Sequence, residues 1–383
     1  MNHENLRARQ PNQFATCPYS PPMIFEKIHT PRFSTRPAQL HLRRLLGKPP
    51  HLSEVAERSY ELHPAESFNA PPAYFDASDM DRVVGYGTNR DRELRRIQGG
   101  PKTINPTVMY RLRDVQMLSG HLLFPNMIKR WEHQARRPWF ATGEQFECDV
   151  GALAHSKLGL RYFGHWLHDD LPMCLAAQDM GPLVSPQIGP SSHHQSAYLD
   201  VTGLQITRCD SVRFKELYFV DDWHAENSHK KDRLLEIRQR LWAAYPATAH
   251  AGVFLVRGSG GQRRVLRNEM ALAASLGERG IRVVDTAHAS PQEVMEQCAN
   301  ARVVIGVEGS QLNNGLISIA DGGSMLVIQP PRRFNCHHKE LCDILGVRYG
   351  FVVGESFDKS ADFSVDMDSV HRLLDRLMAR PTT

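Results

Sequence analysis

A histidine and an aspartate one helical turn apart are the first residues whose spacing suggests chemistry. His165 and Asp169 fall in the segment 161–181, whose pattern predicts a helix. Side chains four residues apart lie on one face of a helix, so Asp169 can orient the His165 ring or act as a base itself. A buried, purely structural histidine is the alternative. With His168 the two residues have the i, i+3, i+4 spacing of metal ligands, but no further protein ligand is specified.

Three arginines follow a predicted strand later in the chain. The run GVFLVR ends at Arg257, and Arg263 and Arg264 come shortly afterwards. A planar guanidinium donates two hydrogen bonds at once, which suits a diphosphate. The glycines at 258–261 match neither the Walker A nor the G-x-G-x-x-G spacing, so taken singly they predict a structural turn.

A carboxylate interrupts a second potential anion site. RVVIGV at 302–307 is typical of a buried parallel strand, and Glu308, Gly309 and Ser310 follow it before a predicted helix. Backbone N–H groups at a helix start attract phosphate, whereas a bare carboxylate repels it. Glu308 can be neutralised by one of the arginines, can point towards sugar or acceptor hydroxyls as a base, or can mark a site that no longer binds diphosphate. We favour the second arrangement.

Strands and helices alternate regularly from residue 252 onward. This alternation predicts a doubly wound parallel sheet, in which ligands bind at the carboxyl ends of the strands. Upstream, the segment 106–125 predicts a β-hairpin that turns at Ser119–Gly120. A chain of 383 residues is expected to form two domains, and we divide it into an arm over 1–50, a domain over 51–246, and a domain with a terminal helix over 247–383.

The chain carries a net charge of +4, and the arm over 1–50 is basic and rich in proline. We expect the arm to be solvated; contact with an anionic membrane face or an acidic acceptor is the alternative. No interleaving of basic and aromatic residues points to nucleic acid. No apolar stretch predicts a membrane span or a signal peptide, and seven irregularly spaced cysteines indicate reduced thiols. We therefore expect a cytoplasmic protein, in peripheral contact with the inner membrane face if the arm binds lipid.

Three segments in order resemble motifs of glycosyltransferase family 61, and we expect a bacterial capsular or exopolysaccharide-type member. The first, an aromatic pair followed by His-Trp, Asp and Pro, is matched by Tyr162, Phe163, His165, Trp166, Asp169 and Pro172. The second, an arginine closing a strand, a basic pair and Asn-Glu, is matched by Arg257, Arg263, Arg264, Asn268 and Glu269. The third, His-Gly-Ser/Ala-x-Leu-x-Asn, is matched by Gly309, Ser310, Leu312 and Asn314, with Glu308 in the place of the histidine.

The resemblance implies an α/β fold of the GT-B type, with two Rossmann-like domains facing across a cleft. It implies an inverting transfer without a metal or other cofactor, from a nucleotide sugar expected to be UDP-linked to a glycan or glycolipid. Positive side chains and a helix start would stabilise the departing diphosphate. His165, Asp169 and Glu308 would be catalytic, with the base undetermined among them. The donor-binding residues would be Arg257, Arg263, Arg264, Asn268, Glu269, Gly309, Ser310 and Asn314.

Other functions remain as alternatives. Glu308 favours a catalytically silent nucleotide-sugar binding or scaffold protein, and a different Rossmann-type transferase, such as a methyltransferase, would place the acidic residue on a ribose. The pair Asp221–Asp222 suggests a metal-dependent transferase, but we expect it and the Asp-x-Asp pairs at 79–81 and 366–368 to be turn and capping residues. CHHKELC at 336–342 fits no common zinc spacing and is predicted to be helix surface.

Overall fold

The computed structural model describes residues 26–28, 33–43, 45, 47–48, 50–133, 135–142, 145–187, 193–223, 225–258, 263–357 and 361–379. Most of the basic arm lies outside these residues, so the prediction made for it stays a prediction. The strands are β1 Glu26–Ile28, β2 Arg58–His63, β3 Glu66–Ala70, β4 Gly100–Ile104, β5 Thr107–Leu118, β6 His121–Leu123, β7 Ile128–Arg130, β8 Gln145–Leu153, β9 Leu183–Ser185, β10 Ile206–Arg208, β11 Ser211–Asp221, β12 Gly252–Val256, β13 Ile281–Asp285, β14 Val303–Val307, β15 Ser324–Gln329, β16 Arg348–Val353, β17 Glu355–Ser356 and β18 Phe363–Ser364. The α-helices are α1 Arg36–Arg43, α2 Leu52–Val55, α3 Arg90–Gln98, α4 Phe163–His165, α5 Leu171–Ala177, α6 His193–Thr202, α7 Ser228–Ala244, α8 Glu269–Glu278, α9 Pro291–Cys298, α10 Leu312–Ile317, α11 His338–Leu345 and α12 Met367–Met378.

The second half of the chain forms the predicted parallel sheet. Its five strands run in the order β13-β12-β14-β15-β16, and every neighbouring pair is parallel. The complete burial of β12, β14 and β15 explains the continuous apolar runs in the sequence. The direction of winding reverses between β12 and β14, so the carboxyl ends of these two strands border a crevice suited to a ligand.

The first half forms a mixed sheet, so the prediction of a second Rossmann-like sheet is not met there. The order β10-β9-β8-β11-β5-β6-β7 combines a parallel part, from β10 to β11, with an antiparallel meander from β5 to β7. The predicted hairpin turn is confirmed, because Ser119 and Gly120 take φ of 45° and 73° between β5 and β6. A two-residue connection joins only antiparallel strands, and this fixes the mixed character of the sheet.

A continuous helical segment leads from Phe163 to Met180 and carries the first motif. Its middle turn, Trp166–Asp170, is a π-helix between α4 and α5. Trp166 and Leu167 are buried in the core, and the opposite face holds His165 at the edge of the solvent. Single π-turns widen the helix locally and are frequent at functional sites.

One hydrophobic core spans both sheets, joining residues such as Leu112 of β5 and Leu255 of β12. The chain between β3 and α3 reaches the far side of the parallel sheet, where Tyr74 pairs with Gly350 of β16. Helix α12 packs against β15 and β16 of its own half. The boundary between 246 and 247 remains a prediction. Within the described residues, no helix combines the length and apolarity that crossing a bilayer requires.

Candidate active site

Three loops meet at the carboxyl edge of the parallel sheet. Arg257 follows β12 directly, Glu308 follows β14 directly, and Arg333 lies four residues after the end of β15. These strands are neighbours, so residues far apart in the sequence come together here. Arg264, on the segment that leads back to α8, joins the same group.

Glu308 is the centre of an arginine cluster made of Arg257, Arg264 and Arg333. Its side chain is 2% exposed, and its Oε2 atom lies 2.8 Å from Arg333 Nη1 and 3.2 Å from Arg264 Nη1. Arg257 Nη1 donates to Gln311 Oε1 at 3.0 Å. The first of the three arrangements considered for Glu308, neutralisation by arginine, is therefore the one observed, although Arg333 was not among the arginines considered.

Burial places these guanidiniums under electrostatic strain. Burial lowers the pKa of Arg264 to about 10; Glu308 opposes the shift, while Arg257 and Arg333 add to it. Burial and Arg333 also lower the pKa of Arg257, again against Glu308. Both groups stay charged at neutral pH. Among the described residues, the buried Arg264 Nε atom finds no hydrogen-bond acceptor. Three guanidiniums thus share one carboxylate, which is a site that favours a further anion.

Backbone contacts hold the arginine loop in place. The buried Glu269 carboxylate accepts hydrogen bonds from the N–H groups of Arg257 at 2.8 Å and Gly258 at 2.9 Å. Asn268 bonds in both directions with the backbone of Val365, at 2.8 Å and 3.1 Å. Gly309 is required by close approach, since a Cβ atom there would collide with the Arg257 guanidinium. The side chains of Asn268 and Glu269 therefore bond to the backbone around the loop, and their role in donor binding stays a prediction.

The predicted pair of His165 and Asp169 exists and is part of a larger charge network. His165 Nδ1 lies 2.8 Å from Asp169 Oδ2, and Lys230 Nζ lies 2.5 Å from Asp169 Oδ1. His168 Nε2 is 3.2 Å from the same carboxylate. Burial alone would raise the pKa of Asp169, but His168 and Lys230 hold it well below its usual range. Lys230 is fully buried, and the surrounding carboxylates raise its pKa against the effect of burial.

This network fixes the orientation of the His165 ring. When Nδ1 donates its proton to Asp169, the Nε2 atom carries a free lone pair and can accept a proton. The side chain is 26% exposed, and its ring packs against Trp223 at 5.5 Å and His337 at 6.4 Å between centroids. The ligand atoms of His165, His168 and Asp169 lie within 4.8 Å of one another, a spacing that would suit a metal. The Lys230 ammonium on the same carboxylate opposes a second cation.

The histidine network and the arginine cluster form one site. His337 bridges them, with its ring beside His165 and its Nδ1 atom 3.7 Å from Glu308 Oε1. Asn313 contacts two imidazoles. Its Oδ1 atom lies 3.0 Å from His168 Nδ1, and its Nδ2 atom lies 3.3 Å from His338 Nε2. A Cβ atom at Gly164 would come within 2.7 Å of Asn313 and 3.1 Å of the Ser310 hydroxyl. The first and third motifs are therefore in direct contact.

Some predicted residues lie away from this site or have their polar atoms occupied. Arg263 is 72% exposed and forms a two-pronged ion pair with Asp362, at 2.9 Å and 3.0 Å. Asn314 is buried and bonds to the Tyr198 hydroxyl at 3.0 Å and to Gln311 O at 2.9 Å. Neither side chain joins the arginine cluster, so we do not retain these two as donor-binding residues.

The aspartate pairs are explained by local structure. Asp222 is buried and accepts from Arg233 at 2.9 Å, and Asp221 accepts from Trp223 N at 3.3 Å. Asp79 takes part in a capping box, and Asp366 caps α12. The prediction that these carboxylates serve turns and caps is confirmed for Asp79, Asp221 and Asp366, whereas Asp222 forms a buried ion pair.

The sequence did not reveal Arg333, His337, His338 or Lys230 as parts of the site. The prediction that 336–342 is helix surface is wrong, since Cys336, His338 and Cys342 are buried where α11 packs against β16 and α7. A signal was present: the chain that follows β15, the next strand of the sheet beyond β14, contains a pair of arginines at 332–333 and a pair of histidines at 337–338. Lys230 gave no signal, because it looks like one more cation on an amphipathic helix.

Comparison with known proteins agrees with the motifs. The model of the family described as Glycosyltransferase 61 matches residues 163–325, which include nearly all of the first motif and all of the second and third. None of the curated proteins compared with the chain matches it. The matched segment holds His165, Asp169, Lys230 and most of the arginine cluster, while Arg333 and His337 lie just beyond its end. Residues 163–325 of the chain are therefore similar to glycosyltransferase family 61, which supports the resemblance seen in the three motifs.

Proposed function

We propose that the protein transfers a sugar from a nucleotide sugar, UDP-linked by expectation, to a hydroxyl group of a glycan or glycolipid, with inversion at the anomeric carbon. The transfer proceeds without a metal, in a GT-B-like arrangement whose donor side is the parallel sheet. One observation carries the proposal: an oriented histidine–aspartate pair lies beside a cluster of three arginines that share one carboxylate. Six free, buried cysteines in the described residues are in keeping with a cytoplasmic location.

The arginine cluster supplies the donor site in this proposal. Arg257, Arg264 and Arg333 carry more positive charge than Glu308 and the nearby Glu269 compensate, which suits the negative charge of a nucleoside diphosphate. As the bond from the anomeric carbon to the diphosphate oxygen breaks, negative charge grows on that oxygen. Guanidiniums fixed in advance stabilise this charge without reorganising, which is the main way such sites lower a barrier. Ser310, half-buried beside Gly164, lies next to this site.

His165 supplies the base. The acceptor oxygen forms the new bond to the anomeric carbon, and its proton passes to His165 Nε2. Asp169 orients the ring and stabilises the imidazolium, and Lys230 keeps Asp169 ionised. Asp169 itself is a poor base, because its pKa is held low and both oxygens are engaged. Glu308 serves as counter-ion to the arginines, since its Oε2 atom lies within 3.2 Å of two guanidiniums.

Incubation of the purified protein with a panel of nucleotide sugars and candidate acceptors tests the proposal. We expect hydrolysis or transfer of one donor, a product of inverted anomeric configuration by NMR, and full activity in the presence of a chelator. If a chelator abolishes activity and added metal recovers it, a metal site at His165, His168 and Asp169 replaces the metal-independent mechanism. Binding of a nucleotide sugar without any turnover would favour the alternative of a silent binding protein, for which Glu308 is the motivating observation.

A further inference from the structure

A second concentration of positive charge lies in the first half of the chain, in a cavity of about 400 Å³. His41 and Pro50 of the basic arm, with His51 directly after it, form one wall, and strands β6 and β7 form another. We call this cavity the basic pocket.

Four cationic side chains line the basic pocket: Lys129, Arg130, Arg137 and Lys157. Among the described residues, no aspartate or glutamate belongs to the lining. Lys129 and Lys157 both approach the Trp131 ring, with Nζ atoms 5.8 Å and 5.9 Å from its centroid. The ring and its hydrogen bond to His155 O at 2.7 Å give these two lysines a rigid support. Four cations around one cavity without a carboxylate favour an anionic ligand.

The basic pocket and His165 border the same end of β11. Asp221, the last residue of β11, interacts electrostatically with Lys129, and Trp223, two residues later, packs on the His165 ring. An acceptor with its reacting hydroxyl at His165 would therefore extend towards the basic pocket past this end of β11. The arginine cluster is linked to His165 by a different residue, His337, at the edge of the parallel sheet.

We propose that the basic pocket binds an anionic group of the acceptor, a phosphate or a sugar carboxylate, at a distance from the hydroxyl that reacts. This rests on the proposed function, because it assumes an acceptor whose hydroxyl reacts at His165. Arg130 and Arg137 supply guanidinium forks that suit either group. A concave cavity of this volume fits a single charged group with its sugar, whereas a membrane surface would engage a flat or convex basic face.

Calorimetric titration with inorganic pyrophosphate separates the two anion sites of the full chain. We expect the wild type to bind two equivalents. The double variant Arg130→Ala/Arg137→Ala should retain one, with at least tenfold weaker binding at the other, and Arg257→Ala/Arg333→Ala should retain the complementary one. Arg130 and Arg137 are exposed, so their removal should leave the melting temperature unchanged. Arg136→Ala is the matched control, since Arg136 is an exposed neighbour outside the pocket lining and should keep both sites.

The outcomes distinguish the two proposals. If the wild type binds one equivalent of pyrophosphate, and only Arg257→Ala/Arg333→Ala loses it, the proposal for the basic pocket is overturned and the donor site remains. A single equivalent lost only in Arg130→Ala/Arg137→Ala overturns the donor site and leaves the pocket. Titration with trigalacturonate and with phosphatidylglycerol vesicles identifies the source of the anion. Vesicle binding that Arg136→Ala weakens as much as the pocket variant indicates a general basic surface and overturns the proposal.

Discussion

The histidine network and the arginine cluster both contain one buried carboxylate, yet their charge balance differs. Asp169 is matched by the buried ammonium of Lys230 and by two imidazoles, one of which it orients. Glu308 forms ion pairs with two guanidiniums, those of Arg264 and Arg333, and can neutralise only one of their charges. The first group is complete without a ligand and can act as a fixed support for proton transfer. The second is short of negative charge, and a diphosphate would complete it.

The largest expected effect concerns proton transfer by the histidine network. His165→Ala should lower the rate of sugar transfer by roughly 10²- to 10⁴-fold, the range for loss of a general base. The melting temperature should stay close to wild type, because the ring is partly exposed. Transfer assays with thermal unfolding check both expectations.

A second histidine–aspartate pair offers the control for His165. His288 Nδ1 also lies 2.8 Å from a carboxylate, that of Asp285, but at the surface. His288→Ala should leave transfer unchanged. A large fall in the melting temperature of His165→Ala, with a loss of activity in proportion, would instead assign His165 a structural role.

Removal of the Lys230 ammonium, which pairs with Asp169, should destabilise the histidine network. Lys230→Met leaves Asp169 buried without its main partner, which should lower the free energy of unfolding by about 3–5 kcal/mol. Lys230→Met/Asp169→Asn should recover part of this loss, since the uncompensated charge is then gone. Urea unfolding measures both, and Lys231→Met, at the next position of α7, is the control. Equal stability of the Lys230 and Lys231 variants would contradict the importance of charge matching here.

Substitutions in the arginine cluster should weaken ligand binding and leave the stability of the fold unchanged. Arg333→Ala should weaken UDP binding by about 1.5–3 kcal/mol, or roughly ten- to a hundredfold, through loss of a charge-assisted contact. Arg257→Lys should also bind UDP poorly, because an ammonium lacks the guanidinium fork. Arg263→Ala, with its exposed ion pair, is the control and should bind UDP like wild type. Calorimetry that finds Arg263→Ala as weak as Arg333→Ala would remove the cluster from the donor site.

A change of charge at Glu308 tests directly whether the arginine cluster lacks negative charge. Glu308→Gln removes the carboxylate that pairs with Arg264 and Arg333, so UDP should bind about tenfold more tightly, or by about 1.4 kcal/mol. Transfer should change only a few-fold if His165 is the base. A fall of roughly a hundredfold in transfer would make Glu308 the base, as the sequence had suggested.

The smallest expected effect is a change in the pH dependence of stability, caused by His338 beside the histidine network and the arginine cluster. Burial, with the nearby His168, His165 and Arg264, lowers the pKa of His338 to about 3. In the unfolded chain its pKa is about 6.5, so below that pH the unfolded state binds the extra proton and stability falls. His338→Gln should reduce this loss by up to about 1.4 kcal/mol per pH unit. Urea unfolding between about pH 7 and about pH 5 measures the slope, and identical slopes would contradict the lowered pKa.

The sequence predicted what local patterns determine. Alternating apolar runs and helices located the parallel sheet, and the Ser119–Gly120 pair located a hairpin, because both depend on neighbouring residues. It did not predict the mixed sheet, in which β11 pairs with β5 and β8 across long stretches of chain. The site shows the same limit. The motif residue His165 was identified, but the contact of Asp169 with Lys230, 61 positions away, follows only from the tertiary fold.

The same limit applies to two further motif residues. Asn268 and Glu269 stand in a motif beside arginines, so a role in donor binding was a natural expectation. Their partners are backbone groups, including that of Val365, 97 positions further along the chain. A polar residue that positions a loop and one that binds a ligand look alike until the partner is known.

The pairing of Tyr74 with β16 has a consequence for work with fragments. Tyr74 N donates to Tyr349 O at 2.9 Å, and Phe351 N donates to Tyr74 O at 3.0 Å, so residues from the first half cover the outer edge of the parallel sheet. A fragment that begins at residue 247 would lose this cover and expose the hydrogen-bonding groups of an apolar strand. Uncovered edges of this kind recruit strands from other molecules. Such a fragment should therefore aggregate on expression, and a truncated protein for crystallisation should keep the segment from Pro71 to Gln98.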